Sequence, residues 1–202
     1  MVVDVYVEGG GDNRRQQRPC REAFSDFFER AGIQRRQFTV IACGGRNSAF
    51  KNFVRAMGDQ ESGRMPLLLV DSEGPTVLDG VWRHLLLRDD WRRPSGATGH
   101  HAFLMVQCME TWFLADVSWL KRFFGAGFRD AAIKKRSDIE DIPKRTVFRS
   151  LERATADCRT KGRYLKGAHS FQLPRGLDPQ AVLRKSPHAR RLVDTIRRES
   201  HP

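Results

Sequence analysis

Three short stretches of this 202-residue chain place carboxylates where they could act on a phosphate. Glu8 closes the apolar run VVDVYV and is followed by a glycine turn and Asp12, Asp71 and Glu73 close PLLLVDSEG, and Glu110 follows the run AFLMV within QCMETW. In an open α/β sheet, ligands bind outside the carboxyl ends of the strands, and carboxylate oxygens converging there suit a hard cation such as Mg²⁺ or Mn²⁺. Asp71 and Glu73 are two apart, so in extended backbone they point to the same side and are expected to chelate one cation. Each acid also has a plainer reading. Asp71 could cap the next helix, and Glu110 could be an acid favoured by a helix dipole. Lys166, flanked by glycine in GRYLKGAHS, could set an ammonium on a phosphate.

The elements that must position these groups follow from hydrophobic periodicity. Residues 2–7 read as a strand and Gly9, Gly10 and Gly11 as a sharp turn. A helix is expected from about Pro19, with Phe24, Phe27, Phe28 and Ala31 on one face and Gly32 as its stop. Phe38 to Cys43 reads as a second strand. The helix after it is expected to be capped by Asn47 or Ser48, to turn Phe50, Phe53, Val54 and Met57 inward, and to end at Gly58. Leu67 to Val70 and Ala102 to Val106 are continuous apolar runs of the kind found in strands buried on both faces. Residues 77–87 and METWFLADVSWLKRFF read as helical, and four strands alternating with helices indicate a parallel sheet. Trp112, Phe113 and Trp119 have the spacing of core residues rather than of base-stacking ones. Further helices are expected over 145–158 and over 187–198, the second beginning at Pro187.

Other chemistries lack their signatures. The turn GGGDNR has Arg14 where a dinucleotide fingerprint needs its third glycine, and no GK[ST], HExxH, HxxxH, GxSxG or CxxC occurs. The four cysteines, Cys20, Cys43, Cys108 and Cys158, are expected to be reduced and buried. No apolar run approaches the roughly 20 residues of a membrane span and no leader precedes the first strand, which together point to a cytoplasmic protein. The net charge is +12. Residues 129–202 carry 19 basic and 9 acidic side chains, against 17 and 15 before them, so most of the excess lies in the last third. A polyanionic partner such as nucleic acid is the reading that follows. Arg190, Arg191, Arg197 and Arg198, with Arg14 and Arg46, are the expected phosphate contacts.

A glutamate after the first strand and a paired-acid motif after the third resemble the Toprim domain of topoisomerases, primases and related nucleases. Asp71-Ser72-Glu73 stands where that domain has DxD, a departure that keeps a carboxylate in the last place. The blocks EGGGD, VDSEGP, MVQCMETWFLAD and KGAHS followed by SPHARRLV resemble a bacterial family of Toprim-like proteins often encoded beside ATPases in defence-associated loci. The chain is also similar to the Toprim half of the overcoming-lysogeny-defect nucleases. That resemblance implies metal ligation by Glu8 with Asp12, Asp71 with Glu73, and Glu110, and a working lysine at Lys166, with Lys161 close by. Those nucleases carry a fused ATPase. This chain has no phosphate-binding loop, so the resemblance implies a separate ATPase partner.

The expectation is therefore an α/β fold, a Toprim-like, mostly parallel four-stranded sheet flanked by helices over residues 1–128. A basic, mainly helical extension over 129–202 would complete the domain. The expected activity is a Mg-dependent nuclease on DNA or RNA, an anti-phage effector governed by an ATPase. In it Asp71, Glu73 and Glu110 hold metal, Glu8 or Asp12 completes a second site or moves the proton, and Lys166 offsets developing charge. The rival is the same fold as a non-catalytic module binding nucleic acid or a partner.

Overall fold

The computed structural model describes residues 1–11, 13–59 and 63–200. Its centre is a sheet of β1 (Val2–Val7), β2 (Phe38–Ala42), β3 (Arg64–Asp71) and β4 (Ala102–Met105), in the order β2-β1-β3-β4. Every pairing is parallel, with Val7 beside both Ala42 and Leu69 and Asp71 beside Met105. This is the expected α/β architecture, consistent with a Toprim-like fold. The chain leaves β1 for β2 on one side and then crosses to β3 on the other. The strand order thus reverses between β1 and β3, the position at which an open parallel sheet leaves a crevice beyond its carboxyl ends.

Both faces of the sheet are covered, which is why its inner strands are mostly apolar, with the buried Asp4 of β1 paired to Arg64 of β3. On β3, Leu67 and Leu69 enter one core while Leu68 and Val70 enter the other, as the two-residue period of a strand requires. One face carries α1 (Arg14–Arg30), whose Phe24 and Phe27 pack on Trp112. The opposite face carries α2 (Arg46–Asp59) and α3 (Val81–Asp89), with Phe53, Leu85 and Trp91 over β3 and β4.

Four helices follow: α4 (Val117–Phe124), α5 (Lys144–Ala154), α6 (Pro179–Lys185) and α7 (Pro187–Glu199). Their Leu120, Val147, Leu151, Val182, Val193 and Ile196 belong to the same cluster as Val5 and Phe24. The connection before α5 is locked by Glu140, a buried carboxylate with both oxygens in use. One accepts from the Ser186 hydroxyl and the His188 N–H, the other pairs with His188 Nδ1 at 2.7 Å.

Several boundaries differ from the periodicity. Helix α1 starts at Arg14, five residues before Pro19, because the Asn13 side chain accepts from the Gln16 N–H and caps it there. Helix α2 starts at Arg46 and runs through Gly58. Helix α3 starts at Val81 and reaches Asp89. The stretch METWFLAD winds as a buried 3-10 turn over Met109–Ala115, and α4 begins only after Asp116, whose carboxylate caps Trp119 N. Helix α6 was not expected from the pattern, although Asp178 capping a helix with Pro179 in its first turn is a recognisable start signal.

Candidate functional site

The reversal point between β1 and β3 places Glu8 beside Asp71. The Glu8 N–H continues the ladder to Leu69 O at 3.1 Å, and one Glu8 carboxylate oxygen accepts from the Asp71 N–H at 3.3 Å. Across β3, the first N–H of the 3-10 turn, Met109 N, donates to Asp71 Oδ1 at 2.8 Å and fixes that side chain. The next residue of the turn is Glu110, almost fully buried, whose Oε1 accepts from Ser170 Oγ at 3.1 Å and Tyr164 Oη at 3.3 Å. Glu8, Asp71, Glu110 and Lys166 line one cavity of about 250 Å³, closed by Gly9, Gly44, Ser170 and Phe171.

The three carboxylates share a pattern. Glu8 commits Oε2 to Arg46 and Asp71 N, Asp71 commits Oδ1 to Met109 N, and Glu110 commits Oε1 to Ser170 and Tyr164. The second oxygen of each has no hydrogen bond among the described residues, and for Glu110 that oxygen is fully buried. Burial, and then the charges of Glu8 and Glu110, push the Asp71 carboxyl up to about 8, against a smaller opposing effect of Lys144. A pocket of hard oxygen donors with an unpartnered buried oxygen and a reluctant acid has the chemistry of a divalent-cation site. Among the described residues, no three His, Cys, Asp or Glu side chains stand close enough to form a ready metal group. The donors match a hard cation in type and share the cavity, but ligation would require them to close in.

Glu73 does not join them. The strand ends at Asp71, and Glu73 takes a left-handed φ of 64°, which breaks the i, i+2 geometry and turns its carboxylate to Lys144, the first residue of α5. Burial would raise the Glu73 carboxyl, but the Lys144 hydrogen bond and charge outweigh it and hold it low. The acid expected to chelate beside Asp71 is therefore engaged in a salt bridge at the rim. Asp12 lies outside the described residues.

Arg46 is a second departure. Expected as a phosphate contact, it is mostly buried behind the pocket. It grips Asp89 with two nitrogens at 2.7 and 2.9 Å, reaches Glu8 at 3.2 Å and the carbonyl of Asp71, and lies over the Trp91 ring at 4.9 Å. Trp91 stacks in turn on Phe50 at 4.3 Å. Arg46 thus holds the ends of β1 and β3 together and orients Glu8. Gly9, at φ 132°, makes a two-bond bridge to Gly44 at 2.7 and 2.9 Å, and a Cβ there would sit 2.8 Å from the Phe171 ring. The glycine turn is thus needed for close packing at the cavity wall.

Lys166 is exposed at the cavity mouth with Nζ 5.5 Å from the centre of the Phe148 ring, whereas Lys161 lies over Phe123 and does not line the cavity. Of the α7 arginines, Arg191 donates to the carbonyls of Leu78 and Gly99, and Arg197 to that of Ala31. Both pin α7 to the body of the fold, so they too depart from the expected role. Arg190 and Arg198 are exposed, the first donating to Leu183 O at 2.9 Å and the second paired with Glu199. Arg14 begins α1.

Lys144, Tyr164, Ser170 and Asp89 were not singled out for these roles in the sequence, because each acquires its role from a partner more than 40 residues away. No helix is long and apolar enough to cross a membrane among the described residues. No curated protein and no solved structure matches the chain. A family model described as a domain of unknown function, DUF4276, matches residues 7–197, nearly the whole length, and the chain belongs to that family.

Proposed function

We propose that this chain is a metal-dependent phosphodiesterase that cleaves DNA or RNA. The observation that carries this reading is the set of three carboxylates from β1, β3 and the 3-10 turn that line a common cavity, each with one oxygen held by the protein and one without a hydrogen bond among the described residues. Glu8, Asp71 and Glu110 would hold Mg²⁺ or Mn²⁺. Such an ion polarises a phosphoryl oxygen and supplies hydroxide near neutral pH. Arg46 keeps Glu8 in place, while Ser170 and Tyr164 orient Glu110 by its other oxygen. Lys166, free at the mouth, offsets charge on the phosphate, and Lys144 keeps Glu73 from adding to the repulsion around Asp71. The Toprim resemblance supports the same chemistry. It extends the proposal to an anti-phage effector in the cytoplasm, controlled by a separate ATPase.

The test is cleavage of labelled single- and double-stranded DNA and structured RNA with Mg²⁺ or Mn²⁺, with and without a co-encoded ATPase. Cleavage abolished by Asp71→Asn and by Glu110→Gln supports the enzyme. Equal cleavage by wild type and both variants identifies a contaminant and ends the reading.

A second reading is a non-catalytic module of the same fold that binds nucleic acid or a partner. The salt bridge between Glu73 and Lys144, which takes up the last acid of the DxE motif, favours it. Its mark would be binding without cleavage in every condition above.

A further inference from the structure

The basic side chains of the last third fall into two kinds. On α7, Arg191 and Arg197 donate to main-chain carbonyls and Arg198 pairs with Glu199. On α5, Arg145, Arg149 and Arg153 recur every fourth residue, all exposed, and none has a hydrogen bond or ion pair among the described residues. Like charges four apart on a helix repel one another. The one acid on this helix, Glu152, is paired with Arg163 and does not relieve them.

The stripe continues onto the neighbouring surface. Arg149 and Arg153 line a cavity of about 470 Å³ with Lys134 and Lys135, and no acid lines it. Lys135 also borders an adjoining cleft that holds Arg122 and Lys121, the latter paired with Asp130 at 3.5 Å. At its other end α5 begins with Lys144, whose ammonium meets Glu73 beside Asp71, and Phe148 one turn later lies under Lys166. The arginines thus lie on the helix that meets the carboxylate cavity through Lys166, which lines the cavity and stands over Phe148. Eight residues of helix span about 12 Å, the length of three to four nucleotide steps at about 3.4 Å each.

We infer that the phosphate backbone of a nucleic acid runs along the exposed flank of α5, on Arg145, Arg149 and Arg153, into the groove of Lys134 and Lys135. This places the strand on α5 instead of on α7, and it rests on the nuclease reading for what enters the cavity. The binding itself is independent of catalysis.

The experiment measures binding of fluorescein-labelled DNA (single-stranded and duplex) and RNA as a function of salt. The proteins are wild type, Asp71→Asn, the triple variant Arg145→Gln/Arg149→Gln/Arg153→Gln, and the α7 control Arg190→Gln/Arg198→Gln. Poly-glutamate serves as a second polyanion, and the melting temperature of each variant is checked. The triple variant should lower the log–log salt slope by about 2 to 3, since each lost phosphate contact removes about 0.7 to 0.9. The α7 control should lower it by less than about 1, and Asp71→Asn should bind at least as tightly as wild type. A slope unchanged in a folded triple variant, or an equal loss in the α7 control, overturns the inference while leaving any metal-dependent cleavage intact. Loss of poly-glutamate binding equal to loss of nucleic-acid binding also overturns it, in favour of an acidic protein surface. Binding that depends on α5 without cleavage keeps the inference and ends the nuclease reading.

Discussion

Glu140 and the carboxylate group of Glu8, Asp71 and Glu110 are built oppositely. Glu140 has both oxygens engaged, by Ser186 and by the backbone and ring of His188, and it fastens the segment before α5 to the start of α7. Glu8, Asp71 and Glu110 line one cavity and each use one oxygen, leaving the other without a hydrogen bond among the described residues, with Asp71 so disfavoured as an anion that its carboxyl is pushed up to about 8. The first arrangement is what a protein does with a buried acid that serves the fold. The second carries repulsion and missing hydrogen bonds that folding alone does not need. The difference singles out a candidate site more specifically than the number of acids does, because a carboxylate with both oxygens engaged has little capacity left for a ligand.

Removing a structural acid and a functional one should have opposite effects on stability, and Glu140→Ala should give the larger change. Breaking a buried, hydrogen-bonded charge costs about 3–5 kcal/mol. In a chain of this size that lowers the melting temperature by roughly 6–20 °C. Calorimetry checks this, and a loss below 1 °C would erase the distinction between the clusters. Next comes Asp71→Asn, expected to lower metal-dependent cleavage at least about a hundredfold. Without metal at pH 8 the same variant should melt higher than wild type, because it removes a carboxylate disfavoured by burial and by its neighbours. A variant that melts lower while keeping its activity would make Asp71 a structural acid like Glu140.

Added Mg²⁺ or Mn²⁺ should stabilise wild type by about 2.7 kcal/mol at a hundred times its dissociation constant. It should stabilise Glu110→Gln less and Glu140→Gln as much as wild type. Equal protection of the first variant would place the ion elsewhere. Within any one pH unit, the smallest effect is the pH dependence of the metal-free protein. The Asp71 carboxyl is raised from an ordinary 3.8, so between about pH 4 and 8 the folded state holds a proton that the unfolded state has released. The stability contributed by Asp71 therefore falls as pH rises through that window, by at most about 1.4 kcal/mol per pH unit. Asp71→Asn should flatten this slope in urea titrations, and a slope identical in variant and wild type would contradict the assignment.

The strands were legible because a strand buried on both faces must be apolar along its length, and the acids that end β1 and β3 mark where burial stops. Glu8, Asp71 and Glu110 were read as candidates from strand ends in this way, and Lys166 from its glycine-flanked motif, and the structure brings all four to one cavity. Glu73 was misplaced because the two-residue rule applies only while the backbone stays extended, and a glutamate in the sequence gives no sign of a left-handed φ. Arg46, Arg191 and Arg197 were read as surface charge because composition counts guanidiniums without their acceptors. Those acceptors are a carboxylate 43 residues away for Arg46 and carbonyls 92 and 166 residues away for the other two. Arg145, Arg149 and Arg153 show the converse, since their four-residue spacing was visible but the lack of partners was not.

The separations along the chain within the carboxylate site also bear on the order of synthesis. Glu8 meets Asp71 across 63 residues, Glu73 meets Lys144 across 71, and Ser170 reaches back 60 residues to Glu110. At about 5–20 residues per second, a ribosome takes several seconds to pass from the second of these acids to Ser170. Throughout that interval the emerging polypeptide has its acidic strand ends but not the hydroxyls that orient Glu110. A nascent or prematurely ended product therefore lacks the assembled pocket, and whatever chemistry the pocket performs is confined to molecules whose translation has gone past Ser170.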